Sequence, residues 1–139
     1  MKKKYQELAH IAQQTRYLAH APFSKFRVGA ALITRDGQIY TGCNIENSSF
    51  GLTICAERVA VFNAISSGES EFSAIAIVSD DTDFTTPCGA CRQVLFDLAG
   101  DIDCVMMDSK QRYKIIKLSS LLPLAFTEKK LKHVHHRKQ

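Results

Sequence analysis

Cys55, Glu57, Cys88 and Cys91 are the residues of this chain whose types and spacing could do chemistry. A Cys-x-x-Cys pair at a helix start turns both sulfurs toward one point, an arrangement shared by metal sites and redox pairs. A redox pair needs neither a third thiol nor an adjacent acid. Here Cys55-Ala56-Glu57 supplies both. Zinc favours soft thiolates in four-coordination, so three protein ligands at Cys55, Cys88 and Cys91 leave a fourth position for water, and an open position means catalysis. Glu57, two residues from the first ligand, is then placed to move protons beside that water. The bland alternatives are a closed structural zinc site, with Cys43, Cys104 or a histidine as fourth ligand, and plain buried cysteines. Cys43 and Cys104 fall inside predicted strands, where a thiol serves as a small core residue.

Positioning these groups requires two helix N-termini aimed at one point, since partial positive charge and free N–H groups there stabilise thiolates. Three thiolates on one dication leave a negative centre, which makes bound water a poorer acid than it is beside neutral imidazoles. Arg58, next to the glutamate, and Arg92, next to Cys91, are candidates to offset the excess by hydrogen bonding to sulfur. Either could equally be an ordinary surface residue.

The elements that would carry the site can be read from periodicity. Residues 5–20 place Leu8, Ile11, Ala12, Thr15 and Leu18 at helical spacing, with Pro22 ending the helix. His10 and His20 fall within it and share no metal-ligand spacing. Strand-like runs over 26–34 and 38–44 flank an Asp36-Gly37 hairpin signal, and the small Gly29, Ala30 and Ala31 predict a helix packed closely on the first strand. The polar stretch 44–53 reads as a recognition loop. A second helix is expected over 54–67, with Val59, Phe62 and Ile65 repeating and Gly68 as the stop. The nearly continuous apolar run 72–79 predicts a central strand buried on both faces. Asp80, Asp81 and Asp83 form an acidic loop, read as solvated, with a secondary cation site as the alternative. Pro87 introduces a third helix over 88–99, closed by Gly100, and two more strands follow at 102–107 and 113–118. Alternating strands and helices predict an α/β fold, three layers of α/β/α around a mixed sheet of about five strands. The apolar stretch 121–126 lacks an evident place in that core and predicts a partner surface.

The chain of 139 residues fits a single domain, taken as 1–128, with a basic tail at 129–139 that is expected to be mobile. Its His133, His135 and His136 read as a chance cluster. The net charge of +4 suggests nucleic acid until it is located: eight positive charges sit at Lys2–Lys4 and at Lys129, Lys130, Lys132, Arg137 and Lys138, so the remainder is net −4. A groove that tracks phosphates across the globular part is not indicated. Five cysteines, an odd number, argue against a disulfide framework and for reduced thiols. With no apolar run of about 20 residues and no signal-like start, the expected location is the cytoplasm.

The run Cys55-Ala56-Glu57-Arg58, followed by Pro87-Cys88-Gly89-Ala90-Cys91-Arg92-Gln93, resembles the small homotetrameric zinc-dependent cytidine deaminases of pyrimidine salvage. Residues 22–32 and 42–47 match the same pattern, so the likeness spans most of the chain. The resemblance implies one zinc per subunit on the three cysteines, Glu57 as proton shuttle, and hydrolysis of cytidine and 2′-deoxycytidine to uridine and 2′-deoxyuridine. It further implies that Asn44 and Glu46 bind the ribose 3′-hydroxyl, Phe26 lines the base pocket and the backbone of Ala56 reads the pyrimidine edge. Phe126 would enter the site of a neighbouring subunit in a homotetramer with shared active sites. Phe50 stands where the family commonly has a tyrosine, so the hydroxyl that would contact the sugar is absent. Asp97 and Leu98 replace the family's usual glutamate and phenylalanine.

Other readings remain at this stage. A deaminase acting on polynucleotides would need a basic, aromatic approach to the metal. One acting on a nucleoside-like antibiotic would keep the metal but alter the sugar loop. A structural zinc-binding module would leave Glu57 idle.

Overall fold

A computed structural model describes residues 2–129 and residue 131. Most of the predicted tail, including the three late histidines, lies outside the described residues. Helix α1 (Lys3–Thr15) precedes the strands β1 (Val28–Thr34) and β2 (Ile39–Cys43). Helix α2 (Ala56–Ser66), strand β3 (Phe72–Ser79), helix α3 (Gly89–Ala99), strands β4 (Asp103–Met107) and β5 (Tyr113–Lys117), and the short helix α4 (Leu118–Leu121) follow. The five strands form one sheet in the order β2-β1-β3-β4-β5, antiparallel except for the parallel pair β3–β4 that α3 connects.

Alternation along the strands builds two cores, because successive side chains point to opposite faces. Leu32, Ile75, Ile77, Cys104 and Met106 face one side, with Ala60 and Val61 of α2 and Leu95 of α3. Ile33, Ala76, Val78, Val105 and Met107 face the other, with Tyr5, Leu8 and Ala12 of α1. The expected three-layer α/β/α plan is therefore observed, with β3 at its centre and buried along nearly its whole length. Cys104 takes its predicted core place, whereas Cys43 ends β2 half-buried.

Two glycines set the helix-to-sheet approach. A Cβ at Gly29 would lie 2.0 Å from the Ala12 oxygen, so α1 sits on β1 as the small residues predicted. A Cβ at Gly42 would lie 2.4 Å from both the Ala56 oxygen and the Ala60 nitrogen, which fixes the start of α2 against β2.

Several boundaries differ from the sequence reading. The first helix stops at Thr15 and a single 3-10 turn carries the chain to Leu18. His20 lies beyond both, drawn into backbone pairing with the loop: its N–H donates to the Asn44 oxygen at 2.9 Å and its oxygen accepts from Glu46 at 2.8 Å. Tertiary pairing outcompetes one more helical turn. The second helix begins at Ala56, not Ile54, because Ile54 exchanges backbone hydrogen bonds with Ile45 at 3.0 Å. Its Val59–Phe62–Ile65 repeat marks the outward side: Phe62 and Ile65 are exposed while Ala56, Glu57, Ala60, Val61 and Ala64 are buried. The last strand ends at Lys117, and Leu118 starts α4. Leu118 is buried and Leu121 packs against the same core, so the front of the apolar stretch 121–126 does have a place in its own chain.

Candidate metal centre and active-site pocket

The site forms where α2 and α3 begin. Cys55 is the extended residue that precedes α2 (φ −72°, ψ 154°) and Cys88 is its counterpart before α3 (φ −65°, ψ 165°). The two helix starts meet at the sulfur cluster, which the buried Cys91 of the first turn of α3 completes. The antiparallel bridge between Ile45 and Ile54 closes the polar loop 44–53 and delivers Cys55 to this point.

The three sulfurs lie within 4.8 Å of one another, and those of Cys55 and Cys88 are 3.9 Å apart. A tetrahedral ion about 2.3 Å from each thiolate would separate its ligands by about 3.8 Å, so the cluster fits one zinc ion per chain. Cys43 and Cys104 are outside this group. No histidine joins it among the described residues.

Hydrogen bonding from Cys91, with further donation from Arg58 and Cys88, brings the Cys55 thiol down to about 5 against the opposing effect of burial. Cys91, the donor in that pair and buried besides, is pushed up. Arg58 Nη2 donates to Cys55 Sγ at 3.4 Å, as its position in the motif predicted. Arg92 does not do the same. Its guanidinium donates to two backbone oxygens, Pro87 at 2.8 Å and Leu121 at 3.0 Å, because α3 turns its side chain away from the sulfurs toward α4.

Glu57 is 4% exposed, on the inner face of the first turn of α2. Burial pushes its carboxyl up to about 7, and the charge of Cys55 adds to the rise, against lowering contributions from hydrogen bonds and Arg58. A carboxyl poised there can both take and give a proton near neutral pH.

Beside these groups is a cavity of about 270 Å³ with Phe26, Asn44, Glu46, Ala56, Glu57 and the two exposed-side sulfurs, Cys55 and Cys88, in its wall. The sequence-predicted substrate contacts Phe26, Asn44, Glu46 and Ala56 are therefore brought to one place. Asn44 is buried, accepting from Val28 N–H at 2.8 Å and donating to the Phe26 oxygen at 2.8 Å. Glu46 accepts from Phe23 N–H at 3.0 Å, Ser24 N–H at 3.1 Å and the Ser24 hydroxyl. Those bonds from Ser24, assisted by Phe23 and His20, hold its carboxyl below the usual range despite some opposing desolvation.

Phe50 and Phe126 are not in this wall. Phe50 is exposed and meets Phe23 edge-on at 5.5 Å, lining an adjoining space of about 400 Å³ that shares Ser24, Glu46 and Thr53 with the cavity. Phe126 is half-exposed, its oxygen accepting from Gln93 Nε2 at 2.8 Å. Sequence reasoning missed Thr85 and Thr86, which complete the cavity from the loop before Pro87. Their place directly ahead of Pro87-Cys88 was the only signal available. It also missed Asp80, whose carboxylate accepts from the backbone N–H and guanidinium of Arg27 (2.9 and 2.9 Å) and so anchors the residue between the cavity-lining Phe26 and Val28.

Residues 2–107 match the family model of the cytidine and deoxycytidylate deaminase zinc-binding region. The chain belongs to the cytidine and deoxycytidylate deaminase family. A cytidine deaminase of Sporosarcina psychrophila is 42% identical over 92% of this chain and 95% of its own length. One from Halalkalibacterium halodurans is 46% identical over 88% and 93% respectively. The crystal structure of cytidine deaminase from Burkholderia pseudomallei superposes with a TM-score of 0.85 at 41% identity, covering 91% of this chain and 100% of that one. Family membership and the sulfur geometry agree on zinc, and the five-stranded deaminase fold is the one expected from the sequence. No helix among the described residues is long and apolar enough to cross a membrane.

Proposed function

We propose that the protein catalyses hydrolytic deamination of cytidine and 2′-deoxycytidine, consuming water and releasing ammonia to give uridine and 2′-deoxyuridine. The observation that carries this reading is the buried Glu57 facing the same cavity as Cys55 and Cys88, in a chain of the deaminase family. Bound zinc supplies Lewis acidity that makes water a nucleophile near neutral pH. Glu57 takes a proton from that water and passes it to N3 of the pyrimidine. The water oxygen bonds to C4. Glu57 then carries the second proton from that new hydroxyl to the amino group, which leaves C4 as ammonia while the carbonyl forms, because only the protonated form is a good leaving group.

The remaining residues bind and orient. Phe26 packs against the base, and the backbone of Ala56 pairs with the pyrimidine edge. Asn44 keeps one amide hydrogen and one lone pair beyond its two backbone bonds, enough to engage a ribose hydroxyl. Glu46, whose carboxyl the bonds from Ser24 hold below the usual range, accepts a hydrogen bond from that hydroxyl. Arg58 relieves the negative charge of the thiolates by its bond to Cys55.

Phe126, outside the cavity wall of its own chain, completes the site of a neighbouring subunit in a homotetramer. The setting is pyrimidine salvage in the cytoplasm, with nucleoside as substrate and no role for nucleic acid or membrane. Ultraviolet assay of the zinc-loaded protein with cytidine, deoxycytidine, cytosine, CMP and adenosine tests the reading. Turnover of the two nucleosides well above the other three is expected. Inactivity on both nucleosides in protein carrying one zinc per chain would overturn it.

A further inference from the structure

We propose that Arg92 is a positioning residue that braces the zinc-holding turn against the C-terminal segment, making retention of the metal depend on residues after β5. Arg92 touches no sulfur and lines no part of the cavity. Its Nε donates to the Pro87 oxygen at 2.8 Å, which ties the guanidinium across the turn that delivers Cys88. Its Nη1 donates to the Leu121 oxygen at 3.0 Å, at the end of α4. One rigid, planar group therefore spans two backbone segments that are far apart in sequence, a geometry lysine cannot copy.

The next residue repeats the connection. Gln93 Nε2 donates to the Phe126 oxygen at 2.8 Å. Between the two attachment points the chain reverses through Leu124, a non-glycine residue with φ +53° that is 99% exposed. A leucine in the left-handed region is held there by its surroundings, and here the fastenings on either side are Arg92 and Gln93. Leu118 is buried and Leu121 packs on the core, so α4 is a firm abutment and not a loose end.

Metal sites are held by what orients the ligands as well as by the ligands themselves, and loss of such outer partners typically lowers metal affinity by about 10–100-fold. Without Arg92 the Pro87 oxygen and the end of α4 lose their shared donor, so Cys88 and Cys91 need not stay in register with Cys55. The brace works through backbone, which distinguishes it from Arg58, whose effect is on sulfur charge.

The test uses full-length, zinc-loaded protein. Zinc release to a chromogenic chelator is timed for wild type, Arg92→Gln and Arg92→Lys, well below their unfolding temperatures, with amide hydrogen exchange followed by mass spectrometry. Release about 10-fold or more faster is expected in Arg92→Gln, with faster exchange both around residues 87–92 and around 118–126. Arg92→Lys, which keeps the charge but lacks the planar fork that reaches both oxygens, should fall between. Zinc release and exchange are read without substrate, so an inactive wild type would count against the deaminase reading and not against the brace. Unchanged zinc release in a folded Arg92→Gln protein overturns the proposal. Faster release with unchanged exchange at 118–126 overturns the coupling to the C-terminal segment.

Discussion

Under the proposed function Glu57 is the residue on which the chemistry turns, because a carboxyl raised to about 7 by burial can exchange protons in both directions near neutrality. Replacing it by glutamine preserves shape and leaves all three sulfurs, so Glu57→Gln should bind one zinc per chain and lose turnover by about 10²–10⁴. Metal analysis with a single-turnover assay checks both halves. Near-normal turnover would assign the proton work to another group. The same scale explains why Arg58 and Arg92 separate in role although both flank a ligand. Arg58 lies on the sulfur side of α2, and Arg92 lies where α3 meets α4.

At the scale of elements, the site depends on how closely α2 and β1 are seated. Gly42 leaves no room for a methyl group between β2 and the backbone of α2 at Ala56 and Ala60. Gly42→Ala must therefore push the helix, and with it Cys55 and Glu57, away from the sheet. A loss of about 1–3 kcal/mol is expected from overpacking, readable as a lowered urea midpoint together with weaker zinc retention. A wild-type midpoint in that variant would mean the helix can shift at no cost.

Strand β1 is anchored differently, through Asp80 and Arg27. Burial tends to raise the Asp80 carboxyl, but the hydrogen bonds from Arg27 and the charges of Arg27 and Arg16 outweigh it and hold it below the usual range. A carboxyl depressed in the folded protein stabilises it above the unfolded-state value, near pH 4, and that contribution disappears as pH falls through the folded-state value. The stability gap between wild type and Asp80→Asn should accordingly be full above about pH 4 and close below it. Urea midpoints measured across pH 2–7 at fixed zinc would show this. A gap that stays constant over that range would remove the ion pair from the account.

At the scale of the molecule, a single chain presents Phe126 half-exposed, with its backbone fastened to Gln93 and its ring outside the cavity. In a closed symmetric assembly each subunit can give such a segment and receive one. Mixing Phe126→Ala with Glu57→Gln under conditions of subunit exchange should then restore activity above the sum of the separate proteins. The intact ring of one variant would complete sites that still hold Glu57 in the other. Exchange demonstrated by mass spectrometry without that rise would confine the ring to its own subunit.

The sequence by itself singled out the three cysteines that cluster to fit one zinc and the acid that is buried beside them, because zinc chemistry restricts residue type and spacing so tightly that a few positions carry the message. It also set the element plan. The apolar run 72–79 coincides with β3 to the residue, since a strand buried on both faces writes itself continuously into the chain. Tertiary structure decided what depended on distant partners. The Val59–Phe62–Ile65 repeat named a helix but not its inner face, because alanines, small enough for close approach to the sheet, fill that side instead. The end of the first helix was set by the pairing of His20 with the 44–46 loop, the roles of Asp80 and Thr85 by the meeting of β1, β3 and the loop before Pro87. Arg92 looked like a sulfur donor from its neighbour in sequence. Its partners, Pro87 and Leu121, were chosen by the direction α3 gives its side chain and by a helix that begins 26 residues later, at Leu118. No local pattern records contacts of that range.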